Sequence, residues 1–133
     1  MKRLIPILFL VSCGSAEPAD VEQQNYQEVN IEVGEPDGDY ITHYKNGSEK
    51  LKGTIENGVR SGVWTSYYLN GSKASENVYK NGELNGKTVA YFGNSQVRYI
   101  GYYEGGVPAG IWRFYTEDGM EAFSEDYSKG QEP

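Results

Sequence analysis

His43 is the only histidine in this 133-residue chain, and it is the first residue to examine for acid–base or metal chemistry. One imidazole cannot build a two-histidine zinc site, and it leaves no spare base for a nucleophile–histidine–carboxylate array. It also stands in a column that Tyr67, Tyr91 and Tyr115 fill elsewhere at a fixed spacing, so packing accounts for it better than catalysis. Glu121 and Glu125 have the types needed for a general acid and base, but nothing around them implies a cleft that would separate their proton affinities. Asp37-Gly38-Asp39 and Glu117-Asp118-Gly119 offer carboxylates of the kind calcium takes, yet neither opens a loop of about twelve residues closed by a bidentate glutamate. Both read as turns. Asn46-Gly47-Ser48 and Asn70-Gly71-Ser72 match a glycosylation sequon, and the turn requirement already explains them. No catalytic residue, no metal site and no cofactor is therefore expected. Two features remain for chemistry, the lone thiol of Cys13 and an abundance of aromatic rings, with 12 Tyr and 2 Trp.

Cys13 closes a distinctive N-terminus, Met-Lys-Arg followed by an apolar run from Leu4 to Val11 and then Ser12-Cys13-Gly14. A short cationic segment followed by an apolar stretch too brief to span a bilayer is the pattern of a secretory signal. Leu10-Val11-Ser12-Cys13 resembles the bacterial lipobox, in which a branched apolar residue and two small ones precede the cysteine that becomes the lipidated N-terminus. The resemblance implies that residues 1–12 are a lipoprotein signal peptide, that Cys13 carries acyl chains, and that the protein is held at the cell membrane or outer membrane through that lipid. With Gly14 rather than Asp after the cysteine, the enteric sorting rule implies an outer-membrane address. Several acyl chains together anchor far more firmly than one, at about 0.8 kcal/mol per buried CH₂.

The charge balance points the same way. With 12 Lys+Arg against 19 Asp+Glu and a net charge of −7, the chain has no cationic surplus to neutralise a phosphate backbone, so nucleic acid is excluded as a partner. Loss of Lys2 and Arg3 with the signal would make it more acidic still. Attachment to anionic headgroups through a basic patch is then ruled out, and lipid must do the anchoring. Residues 13–37, rich in Glu, Gln, Asn and Pro without a sustained period, read as an acidic tether that cannot bury enough apolar surface to order itself. Only Val29-Asn30-Ile31-Glu32-Val33 alternates as an edge strand would.

From residue 38 onward one period governs everything. Gly38, Gly62, Gly86 and Gly110 are 24 residues apart, and a fixed period of this size signals a repeat architecture. Two positions after each stands Tyr40, Trp64, Thr88 or Trp112; five after, His43, Tyr67, Tyr91 or Tyr115; six after, Tyr44, Tyr68, Phe92 or Thr116. A turn follows at Asn46-Gly47, Asn70-Gly71, Asn94-Ser95 and Asp118-Gly119. Later come Ile55, Tyr79, Tyr103 and Tyr127, each ahead of a second turn at Asn57-Gly58, Asn81-Gly82, Gly105-Gly106 or Lys129-Gly130. Asn-Gly is the strongest short hairpin signal, because type I′ turns need positive φ at both central residues. Each unit should thus hold two strands of about six to nine residues, and the whole an all-β, single-layer antiparallel meander of about eight strands over 38–133.

A single sheet has no second layer to supply a core, and wide rings packing along the strands can take its place. Tyr40, Trp64 and Trp112 are assigned to that ladder, with Gly62, Gly86 and Gly110 as structural positions of the repeat. Positions two and five after the leading glycine differ in parity, so Tyr67, Tyr91 and Tyr115, with His43, fall on the opposite face unless a bulge re-aims them. They are the candidate exposed stripe for stacking against a sugar ring or gripping an extended protein.

The unit Gly62-Val63-Trp64-Thr65-Ser66-Tyr67-Tyr68-Leu69-Asn70-Gly71, continued by Tyr79-Lys80-Asn81-Gly82-Glu83-Leu84-Asn85-Gly86, resembles the bacterial variant of the MORN repeat. The resemblance spans residues 38 to 130, with unit three departing at Thr88 and Asn94-Ser95, and unit one carrying Tyr40 and His43 in aromatic columns. It implies a non-enzymatic scaffold that associates with protein or lipid. Many bacterial relatives are described as the antitoxin half of a toxin–antitoxin pair, which would place this chain in the cytoplasm and is at odds with the lipobox. The expected function is a lipid-anchored envelope protein that binds or scaffolds a protein or glycan partner. The alternatives are a cytoplasmic antitoxin-like inhibitor and an envelope glycan-binding or glycan-modifying accessory.

Overall fold

A computed structural model describes residues 36–130 of the chain. Cys13, the signal and tether assignments and the Val29–Val33 strand lie outside the described residues. Within them the chain is all-β. Eight strands, β1 (Gly38–His43), β2 (Glu49–Glu56), β3 (Val59–Tyr67), β4 (Lys73–Lys80), β5 (Glu83–Tyr91), β6 (Val97–Glu104), β7 (Val107–Tyr115) and β8 (Glu121–Asp126), form one open antiparallel sheet in sequence order. Each strand pairs with the next, so every connection is a hairpin and no residue range waits on a distant partner.

The two hairpin classes are chemically different. Asn57-Gly58 and Asn81-Gly82 have positive φ at both residues (53° and 76°, 51° and 81°), and so does Gly105-Gly106 (55° and 82°), as type I′ turns require. At Asn46-Gly47 and Asn70-Gly71 only the glycine is left-handed, at 88° in both, which corrects the expectation of a type I′ turn there. The Tyr44 and Tyr68 carbonyls accept the Gly47 and Gly71 N–H at 2.9 Å, while the Tyr44 and Tyr68 N–H donate to Ser48 and Ser72 at 2.8 Å. This is the longer loop built on a type I turn with a left-handed residue after it. Asparagine serves there as an acceptor: Asn46 Oδ1 takes the Ser48 N–H at 3.0 Å and its hydroxyl at 2.7 Å, and Asn70 does the same for Ser72. Lys129-Gly130, expected as a second turn of the repeat, lies in a 3₁₀ turn, η1 (Tyr127–Gly130).

The parity question resolves through the partner strands. Ser66 pairs with Ser75 but Tyr67 pairs with Lys73, so the extra residue is Ala74 of β4. The same shift recurs at Thr42/His43, Ala90/Tyr91 and Phe114/Tyr115. Since the bulge sits opposite, the odd strands keep their alternation, and Tyr67 stays on the face opposite Trp64. A second irregularity lies at the leading glycines. Lys52 faces Thr65 while Thr54 faces Ser61, so β3 carries extra backbone around Gly62, whose φ is +69°.

The large buried rings lie on one face of the sheet, while Thr65 and Val89, 8% and 9% exposed, are buried on the other. Trp64 and Ile55 are each 1% exposed, Thr88 2% and Trp112 6%. A row crosses every strand there: Tyr40 opposite Gly53, Trp64 opposite Asn77, Asn77 opposite Thr88, Thr88 opposite Gly101, and Trp112 opposite Glu125. Each indole lies flat on the glycine of the strand before it, so close that a Cβ on Gly53 or Gly101 would sit 2.2 Å from the ring. Tyr40 and Tyr79 flank Trp64 at 5.3 and 6.1 Å; Tyr103 and Tyr127 stand edge-on to Trp112 at 5.1 and 5.7 Å. The indole nitrogens donate to the Thr54 and Tyr102 carbonyls at 3.2 and 3.1 Å, which lets the rings be buried without an orphaned donor. In unit three the missing ring is replaced by a polar pair, the Thr88 hydroxyl donating to Asn77 Oδ1 at 2.5 Å.

Candidate functional site

The sheet's second face is built from the alternate residues of the same strands. Tyr67, Tyr91 and Tyr115 stand at the ends of β3, β5 and β7, each half-buried, and His43 stands exposed at the end of β1. They occupy one end of one face, as the parity of the sequence requires. They do not touch one another: two strand spacings, roughly 9–10 Å, separate successive members.

Charged side chains fill the intervals. Lys52 Nζ lies 5.5 Å above the Tyr67 ring and 3.4 Å from the Glu49 carboxylate. Lys73 pairs with Glu76 at 2.7 Å, and the Tyr91 hydroxyl donates to Glu76 Oε1 at 3.4 Å. Arg113 reaches both oxygens of Glu121 at 3.1 Å. Hydrogen bonding to Tyr67, and then to Glu49, raises the Lys52 pKa above its ordinary value. Burial pushes the Tyr91 hydroxyl up, with the Glu76 charge adding to it. The arrangement sets phenol rings beside paired ions at fixed distances, so that rings and hydrogen-bonding groups share one surface.

The stripe is held in place from behind. The Tyr44 hydroxyl donates to the Tyr67 carbonyl at 2.7 Å and the Tyr68 hydroxyl to the Tyr91 carbonyl at 2.6 Å. Phe92, the next member of that column, has no hydroxyl to reach Tyr115, and Asn94 Nδ2 bridges instead to the Glu117 carbonyl at 2.9 Å. Apolar residues extend the same face toward the opposite end, with Val63, Tyr102 and Ile111 all exposed. Beside the β1–β2 hairpin a shallow depression is lined by His43, Tyr44, Lys45, Asn46, Lys50 and Leu69. Among the described residues no three metal-ligating side chains gather.

The column of Gly53, Asn77 and Gly101 escaped the sequence reading, as did the strapping role of Tyr44 and Tyr68. The first was signalled by a paired change: eleven residues after each member stands Trp64, Thr88 and Trp112, so glycine accompanies a ring and asparagine accompanies threonine. No family model and no curated protein matches the chain.

Proposed function

We propose that the protein is a lipid-anchored, non-catalytic binding or scaffolding component of the bacterial cell envelope. Its MORN-like array would meet a protein or glycan partner with the face that carries Tyr67, Tyr91 and Tyr115. The observation that supports this reading is the asymmetry of the sheet. One face consumes its large rings as core, with Trp64 1% exposed. The other holds half-buried phenols at regular intervals between Lys52, Lys73, Glu76 and Arg113. Aromatic edges with fixed hydrogen-bonding neighbours are the means by which flat surfaces grip sugars or extended chains. The lipobox-like Leu10-Val11-Ser12-Cys13 supplies the anchor.

Membrane fractionation with radiolabelled palmitate, comparing the natural chain with Cys13→Ser, tests the anchor. Label and membrane recovery should both disappear in the variant. An unlabelled chain in the cytosolic fraction would overturn the envelope reading and make a cytoplasmic inhibitor the hypothesis to pursue.

A further inference from the structure

The depression beside the β1–β2 hairpin is where unit one departs from the repeat. Unit one lines it with His43, Tyr44, Lys45, Asn46 and Lys50, and the next hairpin adds Leu69. The counterparts of Lys45 in the other units are Leu69, Gly93 and Glu117, and those of Lys50 are Ala74, Arg98 and Ala122. No other unit places two cations there. The strand pairing does not call for them either, since Lys50 is the extra residue of β2 and its counterpart Ala74 fills the same place in β4 with a single methyl group, 8% exposed. A departure that the fold does not need marks a place to look for function.

The two lysines also differ from their basic neighbours. Lys52, Lys73 and Arg113 hold carboxylates at 3.4, 2.7 and 3.1 Å. Lys45 and Lys50 are exposed and form no salt bridge among the described residues; Glu49, the acid next to Lys50, is engaged by Lys52. Lys50 Nζ lies instead 5.6 Å from the centre of the Tyr44 ring. The remaining polar groups of the lining offer donors. Asn46 Oδ1 already accepts the Ser48 N–H and hydroxyl, which leaves the amide NH₂ for a ligand. The Tyr44 proton is committed to the Tyr67 carbonyl, and no carboxylate lines the depression.

A rim of ammonium, amide and imidazole groups without an acid suits an oxyanion that presents several acceptor oxygens. Leu69, 58% exposed, adds an apolar wall that an inorganic anion would leave in water and the C–H face of a sugar ring would cover. The walls are fixed before any ligand arrives. The Tyr44 hydroxyl ties the first hairpin to the Tyr67 carbonyl, and the Ser48 hydroxyl reaches the Leu69 carbonyl at 3.5 Å. The depression measures about 550 Å³, within the range of small-molecule sites. The chain's net charge of −7 repels a long polyanion, so the site favours one acidic group over a charged polymer. We propose that this depression binds a single anionic sugar residue, a hexose bearing one carboxylate or phosphate, with Lys45 and Lys50 on the acidic group and Leu69 against the ring. The site stands at the head of the tyrosine row, and it rests on none of Tyr67, Tyr91 and Tyr115.

The test is a titration of the isotope-labelled full chain with glucuronic acid, glucose 6-phosphate, glucose and inorganic phosphate. One or both of the acidic sugars should shift the amide resonances of residues 43–50 and of Leu69, and the tighter of the two identifies the acidic group. Glucose and inorganic phosphate should bind more weakly than that sugar. Lys45→Gln with Lys50→Gln, checked for a retained dispersed spectrum, should weaken the acidic sugar about tenfold. Lys80→Gln, at the far end of β4, should leave it unchanged. Glucose binding as well as the acidic sugars would overturn the proposal, and inorganic phosphate binding as tightly would overturn the assignment to a sugar. Shifts confined to Tyr67, Tyr91 and Tyr115, or no shift with either acidic sugar, would also overturn it. The ligand comparison on the natural chain decides the matter even if the double variant fails to fold.

Discussion

Trp64 and Gly53 show most compactly how this sequence makes a core without a second layer. The indole needs a flat bed, and only a residue without Cβ leaves one. Gly53→Ala places a methyl carbon 2.2 Å from the ring, and overpacking of this kind should cost about 2–3 kcal/mol. Trp64→Ala empties the site and should cost about 3–5 kcal/mol, whereas Tyr67→Ala, at a half-buried position, should cost about 1 kcal/mol. Urea unfolding of the three variants should rank them in that way; a Tyr67→Ala loss equal to that of Trp64→Ala would make the stripe part of the core. The phenols add a pH dependence. Burial raises the pKa of Tyr44, Tyr91 and Tyr103 above the ordinary tyrosine value of 10.0. Their neutral forms are favoured in the folded state, so the stabilisation is complete below the ordinary value and is lost as pH climbs through and beyond it. Melting temperature should stay level with respect to these groups through neutral pH and fall above about pH 10, in step with tyrosinate absorbance.

At the level of the strand pair, the period of 24 residues disclosed strand number, order and length, because every contact in a meander is local and each unit obeys the same rule. Turn type was less legible. The same Asn-Gly dipeptide serves a two-residue type I′ loop at Asn57-Gly58 and a longer loop at Asn46-Gly47, where asparagine works through its side-chain oxygen. Only the pairing on either side tells them apart. Bulges were legible as a question about parity but not as an answer, since the strand that carries the extra residue is set by backbone geometry at Gly62 and opposite Tyr67. Unit three offers a test of the row as a module. Thr88→Trp alone drives an indole against Asn77 and should destabilise by about 1–3 kcal/mol. Asn77→Gly with Thr88→Trp recreates the bed found beneath Trp64 and Trp112 and should recover most of that loss. A double variant no better than the single would show that the pairing of glycine with tryptophan is incidental.

For the molecule as a whole, a meander in which each strand pairs only with its neighbours in sequence has stability dominated by local and near-neighbour terms. Among the described residues β1 and β8, six residues each against eight or nine for the others, have one neighbour apiece. Amide exchange should therefore be fastest at these edges and slowest in β4 and β5; uniform protection would indicate a single cooperative block. This scale also marks the limit of what the sequence disclosed about function. Parity placed Tyr67, Tyr91, Tyr115 and His43 on the face opposite the tryptophans unless a bulge re-aimed them; the register keeps them on that face, but the three tyrosines are half-buried where an exposed stripe was expected. The Lys52, Lys73, Glu76 and Arg113 neighbours that frame them were hidden, because cross-strand proximity depends on register rather than on spacing along the chain. The account rests on the two faces having different work. The most direct test is a photo-activated crosslinking residue placed at Tyr67 or Tyr91 on one face, and at Tyr79 or Tyr103 on the other, in the protein in its own cells. Crosslinks to a discrete partner from the first pair and none from the second are predicted. Equal crosslinking from both faces, or from the tryptophan face alone, would contradict the account.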